Sequence, residues 1–115
     1  MWISERMAAA GQPTVVSLGR ITASESPAVS VQAELEYRNI PVCSPWGIAY
    51  LPPVGEQAVL VQGERGAMLV GVPMPAAELQ PGELLLFSAG GASICLKNSG
   101  EVVINGQVFL KQGDA

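Results

Sequence analysis

Residues 88–106 read S-A-G-G-A-S-I-C-L-K-N-S-G-E-V-V-I-N-G. Ile94 and Leu96 stand on one side of a short strand, and Val102 and Ile104 on one side of another. Between them Asn98-Ser99-Gly100 predicts a three-residue turn, with glycine where φ turns positive. Gly90-Gly91 bounds the pair on the other side. The stretch has no histidine and one cysteine, and Lys97 and Glu101 are its only charges. A two-stranded hairpin alone is marginal in water. The fold is therefore decided by what covers these apolar side chains.

The neighbouring segments are also strand and turn. Glu83 to Ser88 (E-L-L-L-F-S) is apolar on both faces, and Gln107 to Leu110 follows the opening stretch. Upstream, Thr14 to Thr22 is β-rich, with Val16, Leu18 and Arg20 on one face and Val15, Ser17, Gly19 and Ile21 on the other. Gly19 inside it predicts a bulge or a sharp bend. Ser24 to Pro27 is a turn. Val29 to Tyr37 alternates cleanly and predicts one half-buried strand. The next segment, N-I-P-V-C-S-P-W-G-I-A-Y-L-P-P-V-G-E-Q, reads as a structured loop around Trp46 and Tyr50, stiffened by Pro52-Pro53. Ala58–Gln62 and Ala67–Val72 are strands joined by a turn at Glu64-Arg65-Gly66. Pro73 to Pro81 is a loop. Only Trp2 to Ala10 has helical composition, for two turns at most. Many short strands with turns between them predict an all-β barrel or sandwich. Five strands with a bent first one fit a Greek-key barrel of the OB-fold kind.

Composition narrows the function. The chain has 115 residues, enough for one ordinary domain. Charged residues make up 14%, where about 25% is usual. So thinly charged a surface predicts that part of it is covered by partners or by copies of the same chain. The net charge of −4 argues against a nucleic-acid binder. Without histidine there is no Ser/His or Cys/His pair and no imidazole metal site. Cys43 and Cys95 lack CxxC spacing and read as buried small hydrophobes. Glu5 and Arg6 interrupt the N-terminal apolar residues, so no signal peptide is expected. No run reaches the roughly 18 apolar residues that span a bilayer.

Individual groups add little chemistry. Glu34 and Glu36 share a strand face and read as solvated carboxylates, not an acid/base pair. Gly90-Gly91 lacks the lysine of a phosphate loop. Ser17, Ser44 and Ser88 have no base to activate them. Trp46 and Tyr50, beside prolines on a loop, are the candidate partner-contact residues. No enzyme is expected, and no cofactor.

Two segments resemble a known family. They are P-P-V-G-E-Q (Pro52 to Gln57) running into an apolar strand, and G-E-L-L-L-F-S-A-G-G-A-S-I-C-L-K-N-S-G-E-V-V-I-N-G (Gly82 to Gly106). With the barrel before them, they resemble the baseplate assembly protein V family of contractile-tailed phages, whose members form the tail spike. Type VI secretion spike proteins are more distant relatives. The resemblance covers roughly Thr14 to Leu110. It implies a homotrimer with an OB-fold at the centre of the virion tail baseplate, assembled in the host cytoplasm. In that family, C-terminal strands of three chains wind into a β-helical needle that helps puncture the host envelope. The implied parts are an extension over 1–13, an OB-fold barrel over 14–87, and the start of a trimeric β-helix or β-prism over 88–115. Longer members bind iron through histidines at a pointed tip. This chain has no histidine, so no tip metal is implied. Other baseplate proteins and the tail tube are the implied partners, with transient contact to the envelope; either a separate tip protein forms the point, or the spike is shortened with a blunt end. Three wound copies would bury Ile94, Leu96, Val102, Ile104 and Val108, the expected trimer interface. The alternative from a different class is an OB-fold module binding single-stranded nucleic acid or carbohydrate. Six basic and six scattered aromatic residues weigh against it.

Overall fold

The longest strand, β1 (Val15–Glu25), changes partner halfway along. Val15–Arg20 pairs with β4 (Gln57–Gly63), and Arg20–Glu25 pairs with β2 (Ala28–Gln32). The register shifts between Ile21 and Ala23. The irregularity expected at Gly19 falls instead at Thr22, just past the change of partner at Arg20; Gly19 lies one residue before that change. A Cβ there would stand 2.6 Å from Val31 Cγ1 and 2.9 Å from the Gln32 carbonyl oxygen. The glycine is needed for close approach of two strands, not for a positive φ.

This is a computed structural model, and it describes residues 15–74 and 78–113. Among them there are strands and turns and no helix, so the expected all-β class holds. The expected extension over 1–13, with its helix over Trp2–Ala10, lies outside the described residues. The chain divides after Met74 into two compact units.

The first unit is one antiparallel sheet in the order β3-β2-β1-β4-β5, with β3 at Glu36–Ile40 and β5 at Gly66–Gly71. Its two ends meet. Val42, just past β3, forms a parallel bridge with Leu69 of β5. There Cys43 N–H donates to Leu69 O at 2.7 Å, and Leu69 N–H donates to Pro41 O at 3.0 Å. Every strand sends residues into one core: Ile21, Val29, Val31, Ile40, Ala58, Leu60 and Leu69 are all buried. Burial of each large aliphatic side chain contributes about 1.5–3 kcal/mol before ordering costs.

The single strand expected over Val29–Tyr37 is two strands. β2 ends at Gln32, Ala33–Leu35 turns, and β3 runs back with Val31 opposite Tyr37 and Gln32 opposite Glu36. The alternation runs through the turn unbroken, because a three-residue bend keeps odd positions on one side. Leu35, in phase with the core residues, sits on the turn and is 63% exposed. A bulge follows, because Val29 pairs with Ile40 and leaves Arg38 and Asn39 opposite Ser30 alone. Asn39 takes φ 54° there and donates its N–H to Ser30 Oγ at 3.2 Å. Asparagine is one of the few non-glycine residues that adopt this conformation readily.

The second unit is a four-stranded antiparallel meander, with β6 (Leu84–Phe87), β7 (Ser93–Leu96), β8 (Val102–Ile104) and β9 (Gln107–Phe109) in sequence order. The expected barrel boundary at Phe87 is therefore corrected. β6 pairs with β7, from Leu84↔Leu96 to Phe87↔Ser93, and belongs to the second sheet. The reason is proximity. The tight turn at Ser88–Ala92, closed by Gly91 N–H to Ser88 O at 3.0 Å, folds β6 directly onto β7. The turn expected at Asn98-Ser99-Gly100 is present, with Gly100 at φ 93°. Asn105-Gly106 forms a second tight turn with both φ positive, 51° and 84°. That is the two-residue hairpin geometry these residues favour.

Candidate functional site

The second sheet has no buried residue. Among the described residues, the seven buried hydrophobic ones all belong to the first unit. The register of the second sheet arranges its apolar side chains in rows across the strands. One face carries Leu84–Leu96–Val102–Phe109 and Leu86–Ile94–Ile104–Gln107. The opposite face carries Leu85–Cys95–Val103–Val108. Both faces are apolar, and Ile94 and Ile104 remain 41% and 38% exposed. A four-stranded sheet needs a covered face to offset the entropy of ordering its chain. Its own strands supply none.

Of the five expected interface residues, Ile94, Leu96, Val102 and Ile104 lie together on the two-row face. Val108 does not. It pairs with Val103 and so stands on the other face. The Asn105-Gly106 turn sets this register by putting Ile104 opposite Gln107. The same register brings Phe109, Leu84 and Leu86 onto the face with Ile94, and sequence reasoning missed all three. The Asn-Gly pair was the signal that could have found Phe109.

The sheet is tied at two corners. Asn105 Oδ1 accepts the Ser93 N–H at 2.8 Å, and Asn105 N–H donates to Ser93 O at 3.0 Å. At the opposite corner the Glu83 carboxylate accepts from Asn98 N–H at 3.0 Å and from Gln80 N–H at 3.1 Å. Asn98 Nδ2 in turn donates to Pro81 O at 2.9 Å. The Asn98 and Gln80 donors, with the Lys97 charge, hold the Glu83 carboxyl below its ordinary range against some desolvation. A depressed folded-state pKa gives stability that is complete above the ordinary value of 4.5 and is lost as pH falls through the folded value. Glu83→Gln is therefore expected to melt lower than the parent near neutral pH and to converge with it in acid. Thermal melts between about pH 7 and about pH 3 check this. A gap that stays constant with pH refutes the assignment.

The candidate contact residues Trp46 and Tyr50 lie on the loop between β3 and β4. Residues 41–55 carry no charge. The loop is pinned to β1, because Gly55 N–H donates to Ile21 O at 2.9 Å and Arg20 Nη1 to Gly55 O at 2.6 Å. Pro52 is buried. At its tip, Ile48 N–H donates to Pro45 O at 3.0 Å and Ser44 Oγ to Ile48 O at 2.5 Å, with Gly47 at φ 92°. The turn so formed holds Trp46 wholly in solvent, 100% exposed. Tyr50 is partly covered, and burial, with the neighbouring Cys43, pushes its phenol above the ordinary range. It is a neutral hydrogen-bonding group at neutral pH.

The cysteine expectation is half wrong. Both thiols are free, but Cys43 is exposed and Cys95 only half-buried. Cys43 lies on the rim where the first sheet closes, and Cys95 lies in the apolar row of the second sheet's other face. Glu34 and Glu36 are exposed, and Glu36 Oε1 accepts from Arg38 Nε at 3.1 Å. No family model matches this chain, and no curated protein matches its sequence.

Proposed function

We propose that this chain is a structural subunit of a contractile tail baseplate, the trimeric hub from which a central spike begins. The observation that carries the proposal is the second sheet, with two apolar faces, open edges and nothing buried. Three copies closing on the Ile94–Leu96–Val102–Ile104 face would give it the core it lacks and pair its edges. The first unit supports an OB-fold reading. A meander β1-β2-β3, with β4 returning beside β1, is a Greek key. The strand β1 shared between two partners and the Val42–Leu69 bridge support reading that sheet as a small closed barrel. In this role the barrel docks on other baseplate and tail-tube proteins. The second unit starts the needle that a separate tip protein completes for envelope puncture. No catalytic group is required of it.

Native mass measurement at micromolar concentration tests the assembly. The expected species is three copies of the 11.9 kDa chain, and a stable monomer sinks the trimer. Labelling with an antibody against the chain tests the location. The expected site is the baseplate end of contractile particles. A trimer that never co-purifies with sheath and tube overturns the baseplate role.

A further inference from the structure

The Trp46 turn is rigidly built yet points a full indole into water, which is the wrong side chain to leave uncovered on a finished surface. Beside it, lined largely by the same loop, the first unit has an open hollow of about 470 Å³, within the roughly 300–1,000 Å³ of small-molecule sites in general. Pro27, Val42, Tyr50 and Leu51 form its apolar wall, and Ser26 and Ser44 its polar part. No charged residue lines it, and Trp46 is not part of the wall. Every copy of the chain thus carries an uncharged aromatic knob and an uncharged hollow that suits one.

We infer that in the trimer Trp46 of each copy enters this hollow on the next copy, an inference that rests on the trimeric reading above. The chemistry of the two patches matches. Pro27, Leu51 and the Tyr50 ring offer apolar and offset-stacked contact, and the two serine hydroxyls can accept the indole N–H. In the proposed trimer the contact runs head to tail, each copy giving Trp46 to one neighbour and receiving it from the other, the arrangement that closes a ring. Its size sets its rank. A tryptophan side chain buries about 150–250 Å², while a stable interface takes about 800 Å² from each partner. Trp46 therefore fixes the rotation of barrels that the second sheet already holds together, and does not create the trimer.

The test uses the Trp2→Phe protein, which leaves Trp46 as the sole tryptophan, with native mass recorded on each sample. In the trimer, Trp46 emission should be shifted to the blue and its acrylamide quenching several-fold weaker than in the same protein carrying Ile94→Asp and Ile104→Asp. Leu51→Glu, in the hollow, should return the emission to that of an exposed indole while the mass stays trimeric. An exposed indole in a sample whose mass is trimeric overturns this inference and leaves the trimer standing. So does a shielded indole that persists in the dissociated or the Leu51→Glu protein. A monomeric parent overturns the trimer itself and this contact with it.

Discussion

Ile94→Asp combined with Ile104→Asp is expected to convert the proposed trimer to monomers while the first unit stays folded. The two residues face each other across β7 and β8 in the middle of the two-row face. Each substitution removes about 1.5–3 kcal/mol of apolar burial, and a carboxylate enclosed in its place costs several more. Three chains carry six such sites. Even about 2 kcal/mol at each sums to roughly 12 kcal/mol, more than eight decades of association at about 1.4 kcal/mol per decade. The first unit is spared because its core of Ile21, Val29, Val31, Ile40, Ala58, Leu60 and Leu69 takes no residue from the second sheet. Circular dichroism should keep the strand signal of the first unit, and native mass should read the monomer. Two aspartates directly opposite each other also repel across the strands and could unfold the sheet without any interface being involved. Ile94→Lys with Ile104→Asp removes that objection, since the cross-strand pair is then attractive, and the same dissociation is expected. Val108→Asp, on the opposite face, is expected to leave the trimer intact. A trimer that survives both double substitutions places the interface elsewhere.

What the sequence made legible follows from which signals are local. Alternation of Ile94 with Leu96 and of Val102 with Ile104 is local, and so is the glycine turn between the strands. The central four interface candidates therefore came out on one face. Val108 stands on the other face because its side depends on register across β8 and β9, which the Asn105-Gly106 turn dictates. Leu84 and Leu86 were missed for a related reason. A run apolar on both sides has no period, and only pairing with β7 tells its faces apart. The same lack of period let β6 be counted with the barrel. In Val29–Tyr37 the period was present and still misled, since alternation reports the side a residue faces and not the direction the chain runs. Closure of the first sheet through Val42 and Leu69 joins residues far apart in sequence and had no local signature. An irregularity in β1 was legible, but it falls at Thr22 and not at Gly19, and the cause of the glycine itself was not legible, because that cause lies on β2.

That cause predicts the second large effect. Gly19→Val is expected to lower the melting temperature of the first unit by on the order of 10 °C. The added Cβ would meet Val31 Cγ1 at 2.6 Å, Gln32 O at 2.9 Å and Ala33 Cβ at 3.1 Å. One of these atoms is backbone and another belongs to a fully buried β-branched side chain, so no flexible group can swing aside. Relief requires β1 and β2 to move apart where Arg20 pairs with Gln32 and Ile21 with Val31, which opens the core at Ile21 and Val31. Overpacking of this kind costs typically about 1–3 kcal/mol, and each kcal/mol shifts the midpoint of a small domain by roughly 4–8 °C. Alanine supplies the same Cβ and should show most of the loss. Gly63→Ala is the matched control on β4: a Cβ there meets nothing within 4 Å, and it should be neutral or slightly stabilising through the unfolded chain. Thermal unfolding of the three variants beside the parent decides it. If Gly19→Ala melts with Gly63→Ala, β1 and β2 do not approach at Gly19 as closely as the 2.6 Å contact requires.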